Sequence, residues 1–129
     1  MKILRNTALF ALGGAAYVGL ELLYRGFSHI SMFFAGGLSF LLIGRLSVLP
    51  WPYFLRVACG AGAVTMVELA AGLLVNRQFQ VWDYRSQPGN FLGQICPVFT
   101  ILWIPVTMLA MALYRWAARV LDSVLCPPA

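Results

Sequence analysis

The sequence predicts an all-α polytopic membrane protein with four transmembrane helices and with its N- and C-termini on the cytoplasmic side. The first observation is composition: of 129 residues, 61% are hydrophobic and 10% are charged, and the mean hydropathy is +0.83. A soluble domain of this length needs far more polar surface, so that class is excluded. The other two observations are the spacing of the apolar stretches and the distribution of the basic residues.

Four apolar stretches of roughly twenty residues, the length that crosses a bilayer core, follow one another along the chain. A tight turn near Gly26 separates the first two stretches. Pro50-Trp51-Pro52 ends the second because proline lacks a backbone donor, and the polar residues 76–90 precede the fourth. The residues from Arg115 to Leu125 form a short amphipathic end. The predicted spans are about 3–24, 27–49, 53–75 and 91–114, so that residues 1–129 form a single domain.

The basic residues predict the orientation of the spans. Because cytoplasmic loops carry the excess of Lys and Arg, the side with six basic residues is expected in the cytoplasm, and the side with three outside. The net charge of +5 comes from single residues beside apolar stretches, which is typical of membrane anchors and excludes nucleic acid as a partner. A bacterial cytoplasmic (inner) membrane is the expected location. The six residues are Lys2, Arg5, Arg45, Arg56, Arg115 and Arg119, and the three are Arg25, Arg77 and Arg85.

Glu68 is the most unusual residue of the predicted spans. It lies roughly 10 Å below the outer end of the third span, at 1.5 Å of rise per residue. An ionisable side chain costs about 2.5–3.5 kcal/mol at the centre of a membrane helix, and no basic residue lies one turn away on the same helix. Glu68 therefore needs a partner from another helix or must be protonated; a structural hydrogen bond is the plainer alternative.

Other polar residues near the outer ends of the spans could likewise serve either a binding site or the structure alone. Glu21 and Arg25 lie four residues apart on one face of the first helix, where they form an interfacial ion pair or part of a binding site. His29 opens the second span at a similar level. In the polar loop, Trp82 is consistent with a membrane-boundary aromatic residue, and Asp83 with a solvated loop acid or a helix cap.

These residues all fall in the predicted outer half of the bundle, away from the cytoplasm. A polar pocket that opens to the outside is the simplest arrangement that satisfies them. We expect no cofactor, and Cys59 and Cys96 lack the spacing of metal ligands. The candidate ligand-binding residues are Glu21, Arg25, His29, Glu68, Asn76, Trp82, Asp83, Asn90 and Gln94.

Three stretches, residues 21–32, 67–76 and 82–96, resemble the "putative ABC-transporter type IV" (CmpB-like) family of small membrane proteins. The resemblance implies a helical membrane bundle and marks the same nine candidate residues as positions of interest. The sequence departs from the family pattern at Arg85, where members typically have Ser. No GxxxxGK[ST] phosphate loop is present, so the chain has no ATP site of its own.

Three kinds of function fit this pattern. The first is binding or transport of an ion or a small polar or lipid molecule, which in a four-helix chain requires a homo-oligomer or a larger membrane complex. The second is an enzyme at the outer leaflet, with Glu68 as general base, His29 as acid or base and Arg25 binding an anionic headgroup. Scattered acids with His29 could instead hold a divalent metal. The third is an accessory subunit whose polar residues only lock the helices together.

Overall fold

The computed structural model describes residues 2–26, 29–79 and 81–125, apart from the side chain of Arg25. Each of its four helices is long and apolar enough to cross a membrane, which confirms an all-α integral membrane protein. The helices are α1 (Lys2–Arg25), α2 (Ile30–Ser47), α3 (Tyr53–Val75) and α4 (Pro97–Leu125).

The fourth helix begins later than the sequence predicts. Residues near Phe91 form a tight turn instead, in which the backbone N of Phe91 donates to the carbonyl of Ile95 at 2.9 Å, and Gly93 takes a φ of 67°. Pro97 opens the helix because its missing N–H is not needed in the first turn. The amphipathic end predicted beyond Tyr114 continues α4 without a break to Leu125.

The order of the helices places both ends of the described chain at one end of the bundle. There the Arg5 Nε lies 2.8 Å from the Asp122 Oδ1, which joins the start of α1 to the last turns of α4. We call this the termini end. The opposite end, the loop end, carries the turn after Gly26 and the segment between α3 and α4. In the part of the chain that the structure describes, α2 and α4 both contact all the other helices, whereas α1 and α3 lie diagonally apart.

The helices meet through large apolar side chains and small residues. Near the termini end, the rings of Phe40 on α2 and Tyr114 on α4 pack edge to face, with centroids 5.4 Å apart. Between α1 and α2 the backbones approach closely at Gly14, where a Cβ atom would lie 2.5 Å from the Phe33 carbonyl oxygen. Close approach through glycine is how membrane helices gain packing energy without a hydrophobic drive.

This close approach predicts different effects for two glycine substitutions. Gly14→Ala should lower the free energy of unfolding by about 1–3 kcal/mol, because the new methyl group meets the backbone of Phe33, which cannot move aside as a side chain can. Gly62→Ala is the matched control, since a Cβ atom there meets nothing within 4 Å. Denaturation in detergent micelles measures both, and an equal loss for the two variants would contradict the observed α1–α2 packing.

Candidate functional site

Three of the candidate residues form one hydrogen-bonded unit at the loop end. Asn76 follows α3 and is fully buried, and its Oδ1 accepts from the backbone N of Val81 at 2.8 Å and of Trp82 at 3.1 Å. Its Nδ2 donates to the Trp82 carbonyl at 2.6 Å and to the Gln94 Oε1 at 2.9 Å. Gln94 Nε2 returns a hydrogen bond to the Asn76 carbonyl at 3.1 Å. We call Asn76, Trp82 and Gln94 the loop lock.

The loop lock positions the indole ring of Trp82. The indole N–H donates to the Gln94 carbonyl at 2.8 Å, and the ring packs in a buried cluster with Met32 and Val81. The amide groups of Asn76 and Gln94 are thereby used within the protein. Their chemical role is to hold the loop segment, and with it Trp82, against the ends of the helices.

A pocket of about 250 Å³ lies at the loop end beside Trp82. Its lining is mainly aromatic and aliphatic, and we call it the polar pocket after the two carboxylic acids in it. Residues from α1, α3, α4 and the loop segment line it, and two of them are carboxylic acids from the diagonally opposed helices α1 and α3. Its lining residues are Tyr17, Leu20, Glu21, Tyr24, Glu68, Trp82, Tyr84, Phe99, Leu102, Trp103 and Val106.

Glu68 projects from α3 into this region and is 8% exposed. Among the described residues, the hydrogen-bond donor that interacts with its carboxyl group is the indole N–H of Trp103 on α4. The contact is weak: the Trp103 nitrogen is buried, and within the described chain it makes no hydrogen bond of standard geometry. A buried acceptor and a buried donor thus lie side by side at the pocket wall.

Glu21 supplies the second carboxylate of the polar pocket. It is partly buried on α1, one turn after Tyr17, and interacts electrostatically with both Tyr17 and Glu68. The ring of Tyr17 packs edge to face on Trp103 with the centroids 5.5 Å apart, which joins α1 to α4. The expected contribution of Arg25 lies outside the described residues, because its side chain is not described.

Three other candidate residues are used for local structure around the pocket. His29 is exposed and caps α2: its Nδ1 accepts from the backbone N of Ser31 at 3.1 Å and lies 2.7 Å from the Ser31 Oγ. The Oδ1 of Asn90 accepts from the backbone N of Gly93 at 3.0 Å and stabilises the turn before α4. Asp83 is exposed and binds Arg85. None of these three residues lines the polar pocket.

The Asp83–Arg85 pair is a solvent-exposed ion pair. Arg85 donates from Nη2 to the Asp83 Oδ2 at 2.7 Å and from Nε to Oδ1 at 2.9 Å, and its backbone N also donates to Oδ1 at 2.9 Å. The side-chain hydrogen bonds and then the backbone bond lower the pKa of the Asp83 carboxyl to about 2. Within the described ranges, no group of three His, Cys, Asp or Glu side chains is placed to hold a metal ion.

An apolar crevice of about 430 Å³ adjoins the polar pocket between α1 and α4. Tyr17, Leu20, Trp103 and Val106 line both spaces, so the crevice continues the pocket toward the termini end. Its remaining lining residues are Gly13, Ala16, Gly36, Ser39, Phe40, Ile43, Val64, Leu109, Ala110 and Leu113.

Trp103 was not among the site residues predicted from the sequence. Its position in the middle of the predicted fourth span was the available signal, because tryptophan in membrane helices concentrates at the boundaries and its N–H needs a partner when buried. The tertiary packing of the helices determines which side chain lies opposite the indole N–H of Trp103. The pairing with Glu68 could therefore not be read from the spacing of residues.

Comparison with known proteins identifies one family. A family model described as "Putative ABC-transporter type IV" matches residues 15–125, which confirms the resemblance of the sequence motifs and extends it on both sides. No curated protein and no solved structure matches the chain significantly.

The loop lock predicts a large effect of removing its central side chain. Asn76→Ala should lower the free energy of unfolding by about 2 kcal/mol or more, because the backbone N–H groups of Val81 and Trp82 and the Gln94 amide lose partners while still buried. Asn90→Ala is the control, with a smaller expected loss of about 1 kcal/mol. Hydrogen exchange at Val81 and Trp82 measures the local effect. Unchanged protection of these amides in Asn76→Ala would contradict the lock.

The exposed ion pair predicts a specific titration. Because the folded-state pKa of Asp83 is lowered to about 2, the contribution of this pair to stability is fully present above the ordinary Asp pKa of about 3.9 and disappears as the pH falls toward 2. Carboxyl carbon NMR should show the low midpoint. Arg85→Ser, which restores the residue typical of the family, should return the Asp83 midpoint toward about 4. A midpoint near 4 in the unsubstituted protein would contradict the pair.

Proposed function

Because this chain belongs to the family described as "Putative ABC-transporter type IV", we propose that it is a transport component that binds a cationic or hydrogen-bond-donating molecule in its polar pocket. The observation that carries the proposal is Glu68. A buried carboxyl group inside a membrane helix is costly unless partners satisfy it, and among the described residues Glu68 has only a weak contact with the indole N–H of Trp103. A bound molecule that donates hydrogen bonds would supply the missing partner.

The charge of the pocket lining supports a positively charged group over an anion. Glu68 is buried at the wall of the pocket, and Glu21 lines the same space from another helix. In a water-poor site, an ionised Glu68 carboxyl attracts an ammonium group and repels a phosphate or carboxylate ligand.

The enzyme alternative has less support. It assigns His29 and Glu68 to one reacting centre, whereas the imidazole of His29 is exposed, caps α2 and is not among the residues that line the pocket. The accessory alternative accounts for the loop lock, whose polar groups bond one another. It does not account for the buried carboxyl of Glu68 beside the weakly bonded indole N–H of Trp103.

The topology that we propose places the pocket in the outer half of a bacterial inner membrane, following the six-to-three distribution of the basic residues. Four helices are few for a complete translocation pathway, so we propose that a homo-oligomer or a larger membrane complex completes it. Any energy from ATP would come from another chain, because this sequence lacks a phosphate loop.

The proposal predicts that Glu68→Gln weakens the binding of primary amines. We would titrate butylamine and dodecylamine separately into the protein in lipid nanodiscs, subtracting empty nanodiscs, and follow the heat of binding. Loss of a charge-assisted hydrogen bond should raise Kd roughly 10–100-fold for whichever amine binds. Asp83→Asn is the matched control, because Asp83 is an exposed acid of the same end that does not line the pocket. Binding of neither amine, or equal binding by Glu68→Gln, would contradict the proposal.

A further inference from the structure

We propose that the termini end of the bundle carries a second binding site, in which arginine side chains hold the phosphate group of an anionic membrane lipid. This inference goes beyond the proposed function, because the site lies at the opposite end of the helices from the polar pocket. It is carried by other residues and stands or falls independently of Glu68.

The candidate site is a pocket of about 450 Å³ between the start of α1, the residue after α2 and the last turns of α4. Arg5 lines it from α1, and Arg115 and Arg119 line it from α4. Because residues four apart share one face of a helix, the two arginines of α4 lie one turn apart, with Arg5 on a neighbouring helix. We call this space the arginine pocket.

The positive charge of the arginine pocket is not balanced among the described residues. Asp122 is the acid in its lining, and its Oδ1 lies 2.8 Å from the Arg5 Nε. Neither Arg115 nor Arg119 forms a salt bridge within the described ranges, and the Nε of Arg119 donates at 3.3 Å to the uncharged carbonyl of Arg115. An anion in the pocket would therefore meet two guanidinium groups whose charge no described carboxylate offsets.

The sequence has no further acidic side chain to supply at this end. Of its four acidic residues, the other three, Glu21, Glu68 and Asp83, lie toward the loop end. By contrast, all six basic residues of the predicted cytoplasmic side lie near the termini end. Such an excess of one sign of charge favours an anionic partner over a cationic or neutral one. The six are Lys2, Arg5, Arg45, Arg56, Arg115 and Arg119.

The type of basic residue favours a phosphate group as the anion. A planar guanidinium offers N–H donors in a fork that matches two phosphate oxygens, and it is more weakly hydrated than an ammonium group. The arginine pocket has three guanidinium groups and no lysine in its described lining. Arg5 is in addition held by Asp122, so that less side-chain freedom is lost when it contacts a ligand.

The position of the pocket favours a lipid over a soluble phosphate ester. It lies where membrane-spanning helices begin or end, which is the level of the lipid headgroups. Trp116, 58% exposed on α4 between the two arginines, is typical of that level. Val48 and Ala112 add exposed apolar surface to the lining, which a lipid chain would cover and a soluble ester would not. Basic pockets between membrane helices bind anionic headgroups in this way.

Native mass spectrometry tests the inference, because it counts the lipids that stay bound when the protein leaves a detergent micelle. We would titrate the full-length protein with phosphatidylglycerol and, separately, with phosphatidylcholine that has the same chains. One phosphatidylglycerol molecule should bind at least about tenfold more tightly, since the trimethylammonium group of phosphatidylcholine is repelled by the arginines. Equal affinity for the two lipids would overturn the inference.

Matched variants separate the arginine pocket from the general positive charge of this end. Arg115→Gln and Arg119→Gln should each raise the Kd for phosphatidylglycerol about fivefold, the effect of one basic residue near a lipid headgroup. Arg45→Gln removes the same charge from an exposed position of the same end that does not line the pocket, and should leave Kd unchanged. If the three variants weaken binding equally, the lipid responds to surface charge alone, and the inference fails.

A soluble competitor tests the assignment to a lipid. Glycerol 3-phosphate presents a phosphate group without hydrocarbon chains, so it should not displace phosphatidylglycerol at an equal concentration. Displacement by glycerol 3-phosphate as effective as that by unlabelled phosphatidylglycerol would show that the pocket takes a soluble phosphate ester, and would overturn the assignment. Retention of the lipid, together with its loss in the double variant Arg115→Gln/Arg119→Gln, supports it.

Discussion

A polar group inside the hydrocarbon core of a membrane must find a partner within the protein or in a bound molecule, because lipid supplies none. The loop end of this bundle meets that requirement in two different ways. Asn76 and Gln94 bond each other and the backbone of the loop segment, so their polarity is used for folding. Glu68 and the indole N–H of Trp103 make only a weak contact with each other among the described residues, and the ligand that we propose would complete their bonding.

The arrangement of the helices explains where that polarity is accessible. Since α2 and α4 contact every other helix, their side chains fill the centre of the bundle, and a crevice remains along the seam between α1 and α4. Close packing of α1 on α2 at Gly14 holds α1 on one side of this seam. The loop lock holds Trp82 beside Glu68, where the seam reaches the loop end of the bundle. The packing that stabilises the fold thereby also shapes the pocket and the crevice.

The helices and the importance of Glu68 could be predicted from residues that end helices and from ionisable residues that are costly inside a membrane. Pro52 before α3 and the lengths of the apolar stretches predicted the helices. The energetic cost of an acid inside a membrane helix identified Glu68 as a candidate. The start of α4 could not be predicted in the same way, because residues 91–95 are apolar enough to extend a helix, and the left-handed backbone at Leu92 and Gly93 interrupts it. The sequence could not predict which candidate residues form the loop lock, cap a helix, form an ion pair or line the pocket. Those roles depend on contacts between distant segments, such as that of Asn76 with Gln94, which periodicity does not encode.

The central claim is that Glu68 binds the cationic or hydrogen-bond-donating group of a ligand, and a distance measured in lipid tests it most directly. Solid-state NMR can measure dipolar coupling between ¹³C in the Glu68 side-chain carboxyl and ¹⁵N in a bound primary amine. The account predicts a carbon–nitrogen distance within about 4 Å, that of a charge-assisted hydrogen bond. Amine that is bound to the protein but shows no coupling to Glu68 would contradict the account.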